Sequence, residues 1–306
     1  MIYNEEMTLF DIIRDPYYAH KYVVEKICMH LLGYQREDLI IHYDDTITTE
    51  ILTNIKQLYD EYAIGKQPLE YILWYVEYGG LRFYVNNNTI IPRPETEYMI
   101  EAVREYLDDG KWWMVNGEWN KKLTIHNSQS IILVDVGTGS GVLWLSILHS
   151  HGSQVMSAFL IDISEWALEV AKKNYEYCLT QWQVDPLICV VIGKGNLFDT
   201  SIVSAQNNQE VVILANLPYI PDETFDTNPD QSIKFEPRVA FVGWDDGLDL
   251  YRIMFKQIRE SRYRFTMFLE MMTWQVDILR QEFDWLLFEE IKTFHFQIRI
   301  VKVTVL

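Results

Sequence analysis

The chain has 306 residues, too many for one ordinary hydrophobic core and about right for two. Hydrophobic residues make up 49% and charged residues 23%, which is the balance of a folded protein and leaves little room for long disordered tails. The formal charge of −18 repels phosphate backbones and so argues against a general nucleic-acid binder.

Glycine, at 14, falls short of the usual share of about 7%, and tryptophan, at 10, runs high. The N-terminal stretch MIYNEEMTLFDIIRDPYY interleaves acids with apolar residues and carries no secretory pattern, and no apolar run reaches membrane-spanning length. Cys28, Cys178 and Cys189 are isolated, with no CxxC and no histidine at metal spacing, and read as buried thiols in a reducing compartment. We expect a cytoplasmic monomer with no membrane and no stable nucleic-acid partner.

From about residue 8 to residue 73, apolar positions recur at helical spacing, as in Tyr22, Val23, Ile27 and Leu31. Gly33 is a plausible helix stop, and Gly65 closes a later helix containing Leu58, Tyr62 and Ala63. We therefore expect a helical domain over 1–75. Between residues 76 and 91 the runs LRFYV and TII flank the polar tip Asn86–Asn88, predicting a β-hairpin that links two domains. Pro94 then opens a helix carrying Ile100, Val103 and Leu107. Residues 110–130 show no clean period and read as a loop or short hairpin insertion.

From residue 131 onward, β-rich apolar runs alternate with helical stretches: IILVDV, a helix near 141–150, SAFLID, a helix near 165–178, LICVVI, then VVILAN, a helix near 248–261, and FTMFLE. This predicts an α/β domain over 92–306, a Rossmann-like and mostly parallel sheet with helices on both faces. The last two strands, near 285–292 and 296–305, have no helix between them and should form an antiparallel edge hairpin.

Two motifs carry chemistry. In VDVGTGSG, Gly137, Gly139 and Gly141 surround Thr138 between a strand and a helix, where glycine allows a tight turn and lets a ligand approach the backbone. Asp162 ends the next strand, where an acid can accept both ribose hydroxyls of an adenosyl group, with Ile163 beside it and Ser164 capping the following helix. At the end of the third strand, Asn196 can accept from an adenine amine, with Leu197 and Phe198 as apolar walls.

The second motif is NLPY, Asn216–Tyr219, directly after the fourth strand. An amide or aryl amine has a delocalised lone pair and attacks a sulfonium poorly, so catalysis must orient it and accept its hydrogens. Asn216 supplies one acceptor, the stiff turn at Leu217–Pro218 aims a main-chain carbonyl as a second, and Tyr219 offers a ring to stack on the planar group. Neither Gly-x-Ser-x-Gly nor HExxH occurs, and the histidines are scattered, so nucleophilic triads and metal hydrolysis find no support.

GKQPLEYI (Gly65–Ile72), IIPRPETE (Ile90–Glu97), NLPYIP (Asn216–Pro221), FEPRVAF (Phe235–Phe241) and DDGLDLYR (Asp245–Arg252) occur in an order that resembles the HemK/PrmC family of peptide chain release factor glutamine methyltransferases. The resemblance implies methyl transfer from S-adenosylmethionine to the side-chain nitrogen of the glutamine in a release factor's Gly-Gly-Gln loop. It also implies that the helical domain grips the release factor. Arg93, Pro94, Glu95 and Thr96 would close one wall of the pocket, with Glu236 and Pro237 on a loop over the reaction site. A ribosomal-protein glutamine methyltransferase or an adenine amino methyltransferase acting on DNA or RNA shares the tetrapeptide, and a silent binding module would keep the fold alone.

The chain departs from the family in places. Leu217 stands where a second proline is usual, Asn196 where an aspartate is usual, and no glycine follows soon after Glu270. Trp74 and Trp244, and with them Trp166 and Trp274, stand at glycine places. Either these rings are genuinely packed, or the source reads UGA as glycine and the sequence was translated with tryptophan.

Overall fold

The computed structural model describes residues 7–108, 112–115, 118–121, 131–181, 188–198, 203, 210–261, 263–291 and 298–306. The chain forms two compact units, one of Met1–Tyr75 with Asp230–Phe235 and the other of Val76–Pro229 with Glu236–Leu306.

The first unit is helical: α1 (Leu9–Arg14), α2 (Lys21–Leu32), α3 (Arg36–Ile41), α4 (Thr49–Ala63) and α5 (Leu69–Leu73). Thr8 and Asp11 open α1 as a reciprocal cap, each side chain accepting from the other's backbone N–H. Helix α2 buries Val23, Val24, Ile27 and Cys28, a face rotated from the sequence reading so that Tyr22 is exposed. These side chains meet Leu9, Ile12, Leu39, Ile55 and Leu73 in one core.

Strands β1 (Tyr75–Tyr78) and β2 (Leu81–Tyr84) pair across Gly79 and Gly80, whose φ values of 56° and 77° are those of a two-residue hairpin turn. The hairpin thus lies upstream of the expected asparagine tip. Asn86–Thr89 makes a separate turn, closed by the Thr89 N–H donating to the Asn86 carbonyl at 3.0 Å. Asn174 ties Tyr84 down from both sides, accepting its N–H at 2.7 Å and donating to its carbonyl at 2.9 Å.

After α6 (Pro94–Asp108) comes a backbone hairpin, β3 (Trp112–Val115) with β4 (Glu118–Lys121), within the expected insertion. The rest of that stretch, residues 110–111, 116–117 and 122–130, lies outside the described residues. The remaining elements are β5 (Ile131–Val136), α7 (Val142–His151), β6 (Val155–Asp162), α8 (Glu165–Gln181), β7 (Cys189–Lys194), β8 (Glu210–Ala215), α9 (Asp222–Asp226), α10 (Asp249–Arg259), β9 (Arg264–Met272), α11 (Thr273–Glu282), β10 (Leu286–Ile291) and β11 (Ile298–Val305). They build one sheet in the order β10-β11-β9-β8-β5-β6-β7. Strands β5 to β9 run parallel, and β11 is antiparallel to both β9 and β10, which is the expected Rossmann-like sheet with its antiparallel edge hairpin.

Strand β5 is buried throughout, and its alternation sorts the two cores. Ile132, Val134 and Val136 face the cluster containing Tyr251, Met254 and Phe255 of α10 and Val276 and Leu279 of α11. Ile131 and Leu133 face Met99 and Val103 of α6 and Trp144, Leu145 and Leu148 of α7. Cys28 and Cys178 are buried as expected, but Cys189, at the start of the edge strand β7, is exposed. Among the described residues no helix is long and apolar enough to cross a membrane.

The parallel register sets up the site. Val136 pairs with Ile161 on one side and Ala215 on the other, and Ala215 pairs with Leu269. The next residue of each strand, Asp162, Gly137, Asn216 and Glu270, therefore lies in one row across the carboxyl ends of β6, β5, β8 and β9.

Trp74 and Trp244 have φ values of 64° and 65°, a left-handed conformation that costs a side-chain-bearing residue about 1–2 kcal/mol and glycine almost nothing. Trp74 closes α5 in the place where helices commonly end on glycine. Both residues are more than half exposed, at 54% and 51%, so burial does little to offset that cost. Trp166 and Trp274 differ, because both sit in the first turns of α8 and α11 with ordinary helical backbone. Trp74→Gly and Trp244→Gly should each stabilise the protein by about 1 kcal/mol, read from the urea midpoint. A lower midpoint would mean that the rings contribute contacts worth more than the strain. UGA at both codons in the source DNA is the matching expectation, and UGG at both removes it.

Candidate active site

The glycine loop leaves β5 at Gly137 and is fastened to β6, where the Ile161 carbonyl accepts the N–H groups of Gly137 at 2.8 Å and Thr138 at 3.1 Å. All three glycines have positive φ. Gly141 is also forced by space, since a Cβ there would lie 2.7 Å from the Trp144 Nε1 atom. Gly139 is different. A Cβ there would meet nothing nearer than the Gly137 carbonyl oxygen at 4.0 Å, so its outer side is open to a ligand.

Asp162 accepts from the Gly139 N–H at 3.0 Å with one oxygen and from the Ser164 N–H at 2.8 Å with the other. Each oxygen keeps lone pairs for a further donor. Burial raises the pKa of Asp162 against these hydrogen bonds. Ile163 beside it is exposed, and Ser164 caps α8 by accepting from the Ala167 N–H at 3.2 Å. Asn196 is exposed, with its carbonyl accepting from Gln257 Nε2 at 3.1 Å, while the Gln257 oxygen accepts the Phe198 N–H at 3.0 Å. Gln257 of α10 thus sets the loop after β7. Leu197, with a φ of 63°, and Phe198 turn into the core, where Phe198 meets Phe265 edge-to-face.

S-adenosylmethionine fits this set of residues. The open side of Gly139 and the adjacent Asp162 suit a nucleoside, and Asp135 adds an unanswered acceptor beneath the loop. Its Oδ2 accepts from the Thr138 hydroxyl at 2.8 Å, and its Oδ1, fully buried, has no hydrogen-bond partner among the described residues. Burial pushes the Asp135 carboxyl up to about 7.

The second half of the site lies one strand away. Asn216 Nδ2 donates to the Thr96 hydroxyl at 3.2 Å, Thr96 donates to Glu270 Oε2 at 3.1 Å, and the Tyr219 hydroxyl donates to Glu270 Oε1 at 2.9 Å. Thr96 is delivered by α6, whose first residue is Pro94, where a missing N–H costs nothing. Leu217 is buried and packs beside Gly137, its Cδ2 3.2 Å from where a glycine-replacing Cβ would sit. Gln275 Nε2 donates to the Tyr219 carbonyl and to the Asp246 carbonyl, both at 2.8 Å, and its Oε1 accepts the Met272 N–H at 2.8 Å. Gly247 is required here, because a Cβ would fall 2.0 Å from the Tyr219 carbonyl oxygen.

Glu236 closes the remaining side. Its buried carboxylate accepts from Arg93 Nη2 at 2.5 Å and from the Ile91 N–H at 2.8 Å, and the Arg93 guanidinium lies 5.6 Å from the centre of the Phe241 ring. Pro237 follows and opens the short helical turn Arg238–Ala240. The structure therefore brings Thr96 to Asn216 and Arg93 to Glu236, whereas Asn196 is engaged by Gln257. Glu95 precedes Thr96 in the first turn of α6 and contributes charge near Glu270.

Sequence reasoning did not single out Asp135, Gln257, Glu270 or Gln275 as functional. For two of them a signal was present: Asp135 in IILVDV and Glu270 in FTMFLEMM are lone acids in strands otherwise rich in apolar residues, and a buried acid needs partners. Gln257 and Gln275 are ordinary helix residues by pattern, and only the three-dimensional meeting of their amides with loop carbonyls reveals them.

Asp162→Ala should weaken S-adenosylmethionine binding by about 100-fold in a calorimetric titration, the loss of two charge-assisted hydrogen bonds. Because burial raises the Asp162 pKa, wild-type affinity should also fall on acidification at a pH above the ordinary aspartate range. An affinity unchanged by the substitution would take Asp162 out of cofactor binding.

No family model matches the chain. Among curated proteins it is 31% identical over 230 residues to the release factor glutamine methyltransferase of Neisseria gonorrhoeae, covering 74% of this chain and 71% of that protein. It is 29% identical over 268 residues to the one from Mycoplasma mycoides subsp. mycoides, covering 84% and 82%. Against the one from Bacillus anthracis it is 27% identical over 234 residues, covering 76% and 73%. Among solved structures, the human METTL16 catalytic domain in complex with an RNA hairpin superposes with a TM-score of 0.50 at 13% identity, covering 95% of this chain and 92% of that one, which speaks to the fold alone. With these sequence relatives and the site just described, the chain belongs to the release factor glutamine methyltransferase family.

Proposed function

We propose that this chain transfers a methyl group from S-adenosylmethionine to the side-chain amide nitrogen of the glutamine in the Gly-Gly-Gln loop of a peptide chain release factor. The observation that carries the reading is the state of Asn216. Its Nδ2 is engaged by Thr96, while its Oδ1 accepts no hydrogen bond among the described residues. The acceptor oxygen of the motif is thus available at the row where the glycine loop begins.

A second acceptor follows from the turn. The Tyr219 carbonyl is taken by Gln275, and the Pro218 carbonyl faces the backbone of Gly243, where a Cβ would come within 2.4 Å. The Leu217 carbonyl receives no hydrogen bond among the described residues and is left for the substrate. Two acceptors holding the two N–H hydrogens of a primary carboxamide fix the plane of the amide and turn one face of its nitrogen toward the glycine loop.

When bound, S-adenosylmethionine supplies an electrophilic methyl on a sulfonium sulfur. The methyl would pass from the sulfonium to the substrate nitrogen, the sulfur keeping the electron pair of the broken carbon–sulfur bond, and the nitrogen would then release one proton to solvent. The residues of this chain need only orient and desolvate, which suits a site whose buried acids sit behind the acceptors. We assign Asn216, Pro218 and Tyr219 to catalysis. Gly137, Thr138, Gly139, Gly141, Asp162, Ile163, Asn196, Leu197 and Asn216 are assigned to the cofactor, and Arg93, Pro94, Glu95, Thr96, Pro218, Tyr219, Glu236 and Pro237 to the substrate. The helical domain over 1–75, linked through 76–91 to the methyltransferase domain over 92–306, is assigned to recognition of the release factor.

The test is mass spectrometry of a release factor incubated with enzyme and labelled cofactor, with a ribosomal protein fraction and adenine-containing DNA and RNA as parallel substrates. Label on the loop glutamine is the expected result, and label confined to a ribosomal protein or to adenine would redirect the assignment. Asn216→Ala should keep cofactor binding and lower turnover by about 100-fold or more. Unchanged turnover would remove Asn216 from the mechanism.

A further inference from the structure

Glu270 is buried at 1% exposure at the end of β9, and nothing in the proposed reaction uses it directly. It nonetheless stands behind both ends of the NLPY motif. One carboxylate oxygen takes the Tyr219 hydroxyl at 2.9 Å and the other takes the Thr96 hydroxyl at 3.1 Å. Thr96 in turn is the partner of Asn216 Nδ2 at 3.2 Å. The strand row makes this arrangement possible, since Glu270 lies level with Asn216 on the adjacent strand.

An ionised carboxylate accepts hydrogen bonds and cannot donate one. A hydroxyl has a single hydrogen, so a threonine that donates to a carboxylate has only lone pairs to offer its other neighbour. A carboxamide meeting those lone pairs must present its NH2 side. We propose that Glu270 is a positioning residue that fixes the polarity of this relay, holding the Asn216 carboxamide with Nδ2 toward Thr96 and Oδ1 toward the substrate. The inference rests on the reading of the reaction given above.

A neutral group at position 270 undoes the constraint. A protonated carboxyl or a carboxamide can donate to Thr96, whose hydrogen is then free to point at Asn216, and the asparagine amide can rotate half a turn to offer its oxygen inward. The catalytic acceptor would be replaced by a donor that repels the N–H groups of the substrate amide. Holding the charge has a cost. Burial pushes the Glu270 carboxyl up to about 7, while the hydrogen bonds from Tyr219 and Thr96 pull the other way. Glu95 adds like charge, and Tyr78, Tyr219 and Tyr251 are the titratable hydroxyls that feel Glu270 in turn.

A folded-state pKa above the unfolded value means that the stability tied to the protonated carboxyl is present below the ordinary glutamate range and is lost as pH rises through about 7. Activity should run the other way, rising with pH over the same range as Glu270 ionises. A group kept only for packing gives no reason for that opposition.

The experiment compares wild type, Glu270→Gln, Thr96→Val and the double variant on a release factor, with Asn216→Ala as the reference. Glu270→Gln should melt at pH 8 within about 5 °C of wild type. It should bind S-adenosylmethionine as wild type does, keep its KM for the release factor, and lose about 10- to 100-fold in kcat. The acid limb of the kcat profile near pH 7 should flatten. Thr96→Val should lose kcat comparably, and the double variant should be no slower than the worse single one, as expected of links in one chain. Independently of turnover, the 15N-edited side-chain amide signal of Asn216 should show slowed hydrogen exchange in wild type and fast exchange in Glu270→Gln. Wild-type kcat and an unaltered Asn216 signal in Glu270→Gln overturn the proposal. So does a loss seen only in KM or in thermal stability. If wild type does not methylate the release factor at all, the reading of the reaction fails, and the Asn216 signal still decides the relay.

Discussion

Two carboxylates, Asp135 and Glu270, are buried in the middle of an otherwise apolar sheet, and the site depends on how their charges are answered. Each lies on a central strand, each is pushed upward by burial, and each directs a hydroxyl from a neighbouring segment, Thr138 in one case and Thr96 in the other. A buried acid without partners costs several kcal/mol, so such groups are tolerated where they organise something. Here they organise the backs of two adjacent loops, the glycine loop and the asparagine corner, whose open sides are the ones proposed to meet the reactants. The parallel register of β6, β5, β8 and β9 makes the arrangement work, because it levels the ends of those strands.

The second tier of support comes from glutamines. Gln257 of α10 gathers the loop after β7, and Gln275 of α11 uses its whole carboxamide to bind the Tyr219 carbonyl, the Asp246 carbonyl and the Met272 N–H. Two glycines, Gly243 and Gly247, let the chain from 243 to 247 lie directly against the carbonyls of Pro218 and Tyr219. The turn that holds the proposed acceptors is therefore clamped from outside by backbone contact and from inside by hydrogen bonds. Such support explains how a site proposed to work by orientation keeps its geometry within the tolerance that orientation demands.

Much of this was legible in the sequence. The alternating runs from residue 131 gave the parallel sheet and its edge hairpin, because strand and helix periods differ and the runs are long. The glycine loop and NLPY were readable from their positions after strands. The linker hairpin was misplaced, since the polar run Asn86–Asn88 looked like a tip while Gly79–Gly80, with the paired positive φ that a tight hairpin needs, was the turn itself. Cys189 is exposed against expectation because a strand at the sheet edge has the same apolar composition as one inside it. The Asn216–Thr96–Glu270 relay was out of reach, because it joins residues 120 and 174 positions apart in the chain that only the folded sheet makes neighbours. The tryptophan surplus was a fact of composition, and the left-handed backbone at Trp74 and Trp244 turned it into a question of stereochemistry.

The hairpin of β3 and β4 has a consequence for engineering the molecule. It sits between α6 and β5, so the chain re-enters the sheet from it at Ile131, at the amino end of the central strand. The row of acceptors lies at the opposite end, beyond Val136. Extra length at the hairpin is absorbed before β5 begins and shifts no strand relative to its neighbours, whereas a single residue added inside β8 would swing Asn216 to the other face. Length added between β3 and β4 therefore leaves the levelled strand ends in register.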